Sequence, residues 1–235
     1  MAKAGAAVAV LSRSAEGGVA VCREIEEAGG TAQAVECDVV DEASVAAAKG
    51  AVLARFGTVD VVVANAGVAG PTKPLEEVDY DEWRSCLLVN VDGVFLTFRA
   101  FLPSMLEAGR GSLIAISSVT GKRPLAGRTP YATSKMGIIG LVRTLASEVG
   151  PRGIRVNAVC PGAVTGPRIQ DVLRQQALAQ GTTKEVIARQ FTDAAALRRF
   201  VDEEEVASAC VFLASDQGSA ITGEDLNVAA GLIMY

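Results

Sequence analysis

The chain has 235 residues, half of them apolar and 21% charged, which is the composition of a folded chain rather than a disordered one. Its 22 basic and 27 acidic side chains leave a net charge of −5, which argues against a duplex-binding protein, and one Trp, three Tyr and seven Phe leave little for base stacking. Histidine is absent, so a Ser-His-Asp triad, a Cys–His pair and a histidine-ligated metal are all excluded, and acid–base chemistry falls to Tyr, Lys, Asp, Glu or Cys. Cys22, Cys37, Cys86, Cys160 and Cys210 are scattered with no CxxC spacing, and are expected to be buried, reduced thiols rather than a disulfide framework or a metal site. No uninterrupted apolar run approaches the ~20 residues that span a bilayer, and no basic stretch followed by an apolar segment opens the chain. The expected location is the cytoplasm.

The hydrophobic period switches repeatedly along the chain. The run 6–11 has strand length, and 15–28 carries helical spacing with Val19, Cys22, Ile25 and Ala28 on one face, ended by Gly29-Gly30. A strand is expected at 31–37, and a helix at 41–55 with Asp41 as its N-cap and Gly57 near its end. Strand 59–64 precedes a long helix, 80–108, closed by Gly109. Strand 111–117, helix 130–149, strand 154–159, several helical pieces over 167–214 and a last strand, 225–228, complete the pattern. Short apolar strands alternating with helices predict an α/β fold, a Rossmann-like doubly wound parallel sheet in a single domain over 1–235. The more polar span 163–200 reads as an excursion from that domain. In such sheets ligands bind beyond the carboxyl ends of the strands.

At those ends stand Ser12-Arg13, Asp38-Val39, Asn65-Ala66-Gly67, Ser117-Ser118 and Pro161-Gly162. The helix that follows the fourth strand begins PYATSK, which puts Tyr131 and Lys135 one turn apart on one face. The set NAG (65–67), LVNVDG (88–93), ISSVTG (116–121), YATSK (131–135), NAVCPGAVT (157–165) and FLASD…ITGEDLNV (212–228) resembles the short-chain dehydrogenase/reductase family over nearly the whole chain, in its 3-oxoacyl-[acyl carrier protein] reductase-like branch.

The resemblance implies hydride transfer between a nicotinamide cofactor and a carbonyl or alcohol carbon, with Asn90, Ser118, Tyr131 and Lys135 as catalytic residues. Tyr131 would exchange a proton with the substrate oxygen. A free phenol titrates near 10, too high for a base at neutral pH, and the Lys135 cation favours its ionised form. Lys135 would also bind the nicotinamide ribose. Ser118 would donate to the substrate oxygen, and Asn90 would hold a water linking Lys135 to solvent. The cofactor would be lined by Ser12, Arg13, Asp38, Val39, Asn65, Ala66, Gly67, Tyr131, Lys135, Pro161, Gly162, Val164 and Thr165. In that set Asp38 meets the adenine edge and Thr165 the carboxamide. Where NAD enzymes place a carboxylate for the ribose 2′-hydroxyl, this chain has Ser12 followed by Arg13, so NADP(H) is expected over NAD(H). The segment 163–200 would cover a small-molecule substrate; its Arg168, Arg174, Arg189, Arg198 and Arg199 read first as solvated helix faces, with a lid for an anionic substrate as the alternative. A homodimer or homotetramer would pair through helices 80–108 and 130–149.

One departure is large. The family opens with a strand and a TGxxxGxG loop, and no such stretch occurs in this chain, whose first five residues look like the tail of the following helix. That is about 20–25 residues of an N-terminal truncation, and it removes the backbone N–H groups that cradle a diphosphate. The absent strand is central in the family's sheet, so a split or re-paired sheet, weak NADPH binding and low stability are expected, whether the natural start lies upstream or the chain is a true fragment. Two alternatives remain: an NAD-linked sugar or polyol dehydrogenase, and a catalytically silent fragment that acts only through assembly. A smaller departure is Val228-Ala229-Ala230-Gly231 where the family often has VDGG.

Overall fold

A computed structural model describes all residues from Met1 to Tyr235. In chain order it contains β1 (Val8–Ser12), α1 (Ala15–Glu27), β2 (Ala32–Glu36), α2 (Glu42–Phe56), β3 (Val61–Ala64), α3 (Tyr80–Leu87), α4 (Gly93–Ala108) and β4 (Gly111–Ile116). There follow α5 (Val119–Lys122), α6 (Thr129–Val149), β5 (Ile154–Pro161), α7 (Pro167–Ala179), α8 (Lys184–Ala194), α9 (Glu203–Ala214) and β6 (Asp225–Val228). Local chemistry sets the boundaries. Ser14 and Asp41 cap α1 and α2 by accepting the N–H groups of Gly17 and Ala43. Gly109 closes α4 at φ 67°, a conformation that favours glycine.

Every strand pairing is parallel, and the fold is Rossmann-like, but the sheet comes in two pieces. β1 bonds only to β2, and β3 begins a second sheet of order β3-β4-β5-β6. The split expected from the lack of a TGxxxGxG strand is thus present. Every residue of β1 is partly exposed, whereas β5 is buried at all but one of its eight positions. Packing joins the two pieces: Ala9, Leu11 and Val35 rest on the same core as Val62, Ala64, Phe98, Phe101 and Met105.

The alternation of side chains along the strands explains the layers. Leu113 and Ala115 of β4 face α4 and α6, packing with Phe98, Met105, Ile138 and Val142. Ile114 between them faces the other way, onto Cys210 and Leu213 of α9. Ile169, Leu173 and Ala177 of α7 close on Ile187 of α8 in a separate small cluster within 163–200.

Two differences from the sequence reading bear on the site. The stretch 80–108 is continuous and by length and apolar composition could cross a membrane, and its Val94, Phe98, Phe101 and Met105 pack into the core. It is also not uniform: Leu88–Asp92 is a π-helical turn with Asn90 at its centre. Such turns arise where one extra residue is accommodated in a helix, frequently at functional sites. The second is α5, four residues long and too short for any period to reveal.

α5 lies flat on α6. A Cβ on Gly121 would sit 2.8 Å from the Met136 backbone nitrogen and 2.9 Å from the Lys135 carbonyl carbon. Neither backbone atom can yield without moving α6. Gly121→Ala is therefore expected to cost about 1–3 kcal/mol in urea unfolding; an unchanged midpoint would show that α5 lifts away freely.

Candidate active site

The carboxyl ends of β3 and β4 and the first turns of α6 enclose a buried cation. Lys135 is 3% exposed, and its Nζ donates to the Ile116 carbonyl at 2.8 Å. Ser117 Oγ donates to the Lys135 carbonyl at 2.7 Å, fixing the helix turn that carries it. Burial, with the Arg168 guanidinium adding to it, brings the Lys135 ammonium down from 10.5 to about 8. The Tyr131 ring lies beside it, with Lys135 Nζ 5.7 Å from the ring centroid. The i, i+4 spacing read from YATSK therefore does place the two side chains together.

The loop after β3 passes close over this lysine. A Cβ on Gly67 would be 3.5 Å from Lys135 Nζ and 3.0 Å from Asn90 Oδ1, so the absence of a side chain is what lets the loop come this close. Asn90 is fully buried. Its Oδ1 accepts the Val68 N–H at 2.8 Å, and its Nδ2 donates to the Val68 carbonyl at 3.0 Å and to Ser134 Oγ at 2.9 Å. Ser134 in turn donates to the Tyr131 carbonyl at 2.8 Å. The π turn thus ties the β3 loop to the helix that bears Tyr131, a structural duty beyond the role the resemblance gives Asn90.

Ser118 is nearly buried, and its Oγ accepts the Thr120 N–H at 3.1 Å as the cap of α5. That bond uses a lone pair and leaves the hydroxyl proton free to donate.

Arg128 was not singled out by sequence. It is 3% exposed, donates from Nη2 to the Ala69 carbonyl at 2.7 Å and from Nη1 to Thr72 Oγ1 at 3.4 Å, and lies 4.8 Å from the Tyr131 ring centroid. Beside it the Lys73 N–H donates to the Gly127 carbonyl at 3.0 Å. The 65–73 loop is therefore held to the start of α6 from both sides. An arginine three residues before the tyrosine is the only signal in the sequence, and a surface loop residue gives the same signal.

The remaining predicted residues line the same sheet edge with differing commitments. Arg13 is exposed just beyond β1, while the Ser12 hydroxyl is tied into a turn with the Ser14 backbone. Asp38 Oδ1 accepts the Val40 N–H at 3.2 Å, and Val39 packs so closely on Gly93 that a Cβ there would approach its side chain to 2.9 Å. Asn65 and Ala66 are exposed. Pro161 is buried, and Gly162 must be small because a Cβ would meet the Ala229 Cα at 3.0 Å. Val164 bridges to Val201, anchoring the ends of the 163–200 excursion. The Thr165 hydroxyl donates to Asp202 Oδ1 at 3.2 Å, at the start of α9, so it is already committed to a partner other than a carboxamide. All five cysteines are free and buried, and burial pushes every thiol up, Cys210 to about 11. None is a poised nucleophile.

A family model described as enoyl-(acyl carrier protein) reductase matches residues 1–233. The chain belongs to the short-chain dehydrogenase/reductase family. It is 37% identical over 230 residues to the D-threitol dehydrogenase of Mycolicibacterium smegmatis, covering 97% of this chain and 83% of that one. It is 38% identical over 231 residues to the cis-4-hydroxycyclohexanecarboxylate dehydrogenase of Sinomonas cyclohexanicum, covering 98% and 88%. Among solved structures, an NAD+-bound xylitol dehydrogenase superposes with a TM-score of 0.95 at 30% identity, covering 98% of this chain and 90% of that one. A variant of actinorhodin polyketide ketoreductase with NADPH gives a TM-score of 0.95 at 34% identity, covering 100% and 90%. As a short-chain dehydrogenase/reductase the protein is an oxidoreductase acting on CH–OH or C=O groups.

Holding Lys135 charged in this place weakens the fold. Below about pH 8 both folded and unfolded chains carry its proton, and the full desolvation penalty is present. Between about 8 and 10.5 only the unfolded chain keeps the proton, so stability rises with pH through that window. Lys135→Met is expected to raise unfolding stability at pH 7 by about 1–3 kcal/mol, with the gain shrinking toward pH 10.5. A destabilised Met variant at pH 7 would mean that the bond to Ile116 outweighs the buried charge.

Proposed function

We propose that the protein is an NADP(H)-dependent oxidoreductase that interconverts a carbonyl and a secondary alcohol, with Tyr131 as general acid/base. The observation that carries this reading is the buried Lys135 ammonium beside Tyr131, under a loop that Gly67 lets approach to contact distance. A nicotinamide cofactor would supply or accept the hydride at the substrate carbon. Tyr131 gives its proton to the ketone oxygen in reduction and removes it from the alcohol in oxidation. Lys135 lies beside the Tyr131 ring and would turn its uncommitted protons toward a ribose. The Ser118 hydroxyl proton, not consumed by its cap, stabilises charge on the substrate oxygen. Asn90 keeps the loop and helix in register, and the second lone pair of its Oδ1 is available to a water on the Lys135 side.

Ser12, Arg13, Asp38 and Val39 would serve the adenosine end, and Gly67, Tyr131, Lys135, Pro161, Gly162 and Val164 the nicotinamide end. The exposed Arg13 guanidinium, with no ion-pair partner at that strand end, favours a 2′-phosphate. The second reading, an NAD-linked polyol dehydrogenase, is favoured by the likeness to D-threitol dehydrogenase and to NAD+-bound xylitol dehydrogenase. In either case α7 and α8 of the 163–200 excursion would cover the substrate. Exposed Phe95 on α4 and Met136 on α6 suit self-association through those helices, and five free thiols suit a reducing cytoplasm.

Tyr131→Phe is expected to lower turnover about 10²–10⁴-fold in a 340 nm assay over a panel of secondary alcohols and ketones. Retained turnover would remove Tyr131 from the chemistry. Arg13→Asp is expected to move the NADPH/NADH preference by about tenfold or more toward NADH in fluorescence titration. An unchanged ratio would leave the polyol dehydrogenase reading in place.

A further inference from the structure

Three cations meet at the mouth of this cleft without a carboxylate among them. Lys135 and Arg128 are each 3% exposed, and neither takes part in any ion pair of the fold. The buried Nε of Arg128 has no hydrogen-bond partner. The third, Arg168, stands in the first turn of α7, exposed, and reaches across the cleft to the Gly67 carbonyl at 3.4 Å, a long bond that is easily exchanged. The charges that act on Arg128 and Lys135 are Arg168 and weakly acidic Tyr and Cys side chains, and no Asp or Glu is among them. Elsewhere in the same excursion Arg174 is paired with Asp171, Arg198 with Asp193 and Arg199 with Glu205, while Lys184 and Arg189 on α8 carry no ion pair. What sets Arg168 apart is its place beside two buried cations, where α7 also points the positive end of its dipole.

We propose that Arg168 is the substrate-recognition residue of this site, and that the preferred substrate is a hydroxy or oxo carboxylic acid whose carboxylate docks on its guanidinium. This rests on the reading of Tyr131 and Lys135 as the reaction centre. A guanidinium meets a carboxylate through two parallel hydrogen bonds, and one exposed arginine suffices for that. A dianionic phosphate needs more donors, and α7 begins with Pro167, which has no N–H to offer, while Arg128 is sealed behind the loop it holds. Two bound carboxylate oxygens would replace the long bond to Gly67 and offset the mutual repulsion of the three cations. The charge of the carboxylate, rather than the ring or chain that carries it, is what this geometry selects.

The test uses the full chain and a pair of probes, cyclohexanecarboxylate and its neutral counterpart cyclohexylmethanol, titrated by calorimetry at fixed ionic strength. The wild type is expected to bind the carboxylate about tenfold or more tightly than the alcohol. Arg168→Gln should abolish that preference, Arg168→Lys should keep part of it, and Arg174→Gln, whose arginine is already paired, should leave it intact. Equal binding of the two probes, no carboxylate binding, or a preference that survives Arg168→Gln overturns the proposal. NADPH titrations on the same variants separate the other anion present. If Arg168→Gln weakens NADPH binding and leaves the probe preference untouched, the guanidinium serves a cofactor phosphate and the proposal is wrong. Tighter binding of inorganic phosphate than of cyclohexanecarboxylate also overturns it. A carboxylate preference that tracks Arg168 in a protein that oxidises no alcohol would uphold the anion site and sink the reaction-centre reading, so the two fail separately.

Discussion

One ammonium group, sealed beneath the ends of β3 and β4, sets the terms for its surroundings. Lys135 has a single carbonyl as a hydrogen-bond partner and no carboxylate, and an ion taken out of water in this way costs several kcal/mol unless something compensates. The neighbouring parts answer that constraint. Ser117 fixes the helix turn, Gly67 lets the β3 loop pass within contact distance, and the π turn at Asn90 locks the loop to α6 through Val68 and Ser134. Arg128 adds a second brace from the far side of Tyr131 and brings another cation with it. The site is over-determined mechanically and under-compensated electrically, which is a state that suits the binding of negative or electron-rich groups.

The split sheet gives this arrangement an uneven foundation. β4 and β5 are the central strands of their sheet, paired on both sides, and Ile116, Ser117, Ser118 and Pro161 stand at their carboxyl ends. β1 and β2 form a separate ladder joined to the rest through side-chain packing alone, and they carry the Arg13 and Asp38 end of the cleft. Lys135 and its partners are thus mounted on the four-stranded piece, while Arg13 and Asp38 sit on the two-stranded piece. Local opening of β1–β2 is cheaper than opening of β4–β5, and hydrogen exchange should follow that order.

Much of this was legible in the chain. Short apolar runs of strand length and the three-to-four period of the helices placed the elements to within a few residues. Tyr131 and Lys135 were readable because i and i+4 share a side of any helix, and the empty place of the TGxxxGxG strand foretold a divided sheet. What escaped has a common cause: it depends on contacts distant in sequence. Asn90 looks like a poor helix former until Val68 and Ser134 come to it from 22 and 44 residues away. Thr165 looks free until Asp202 takes its hydroxyl. Arg128 is one more basic loop residue, and Arg168 one of five arginines in a polar span, until the fold brings both to the same cleft.

The account stands or falls on the state of Lys135. The chain has six lysines, Lys3, Lys49, Lys73, Lys122, Lys135 and Lys184, few enough to follow one by one in an NMR titration of isotope-labelled side-chain nitrogens. The account predicts that a single ammonium signal titrates near pH 8, disappears in Lys135→Met, and belongs to the group 3% exposed beside Tyr131. Six lysines all titrating near 10.5 would contradict it, because Lys135 would then be solvated or paired and the site would lack the buried charge that organises it.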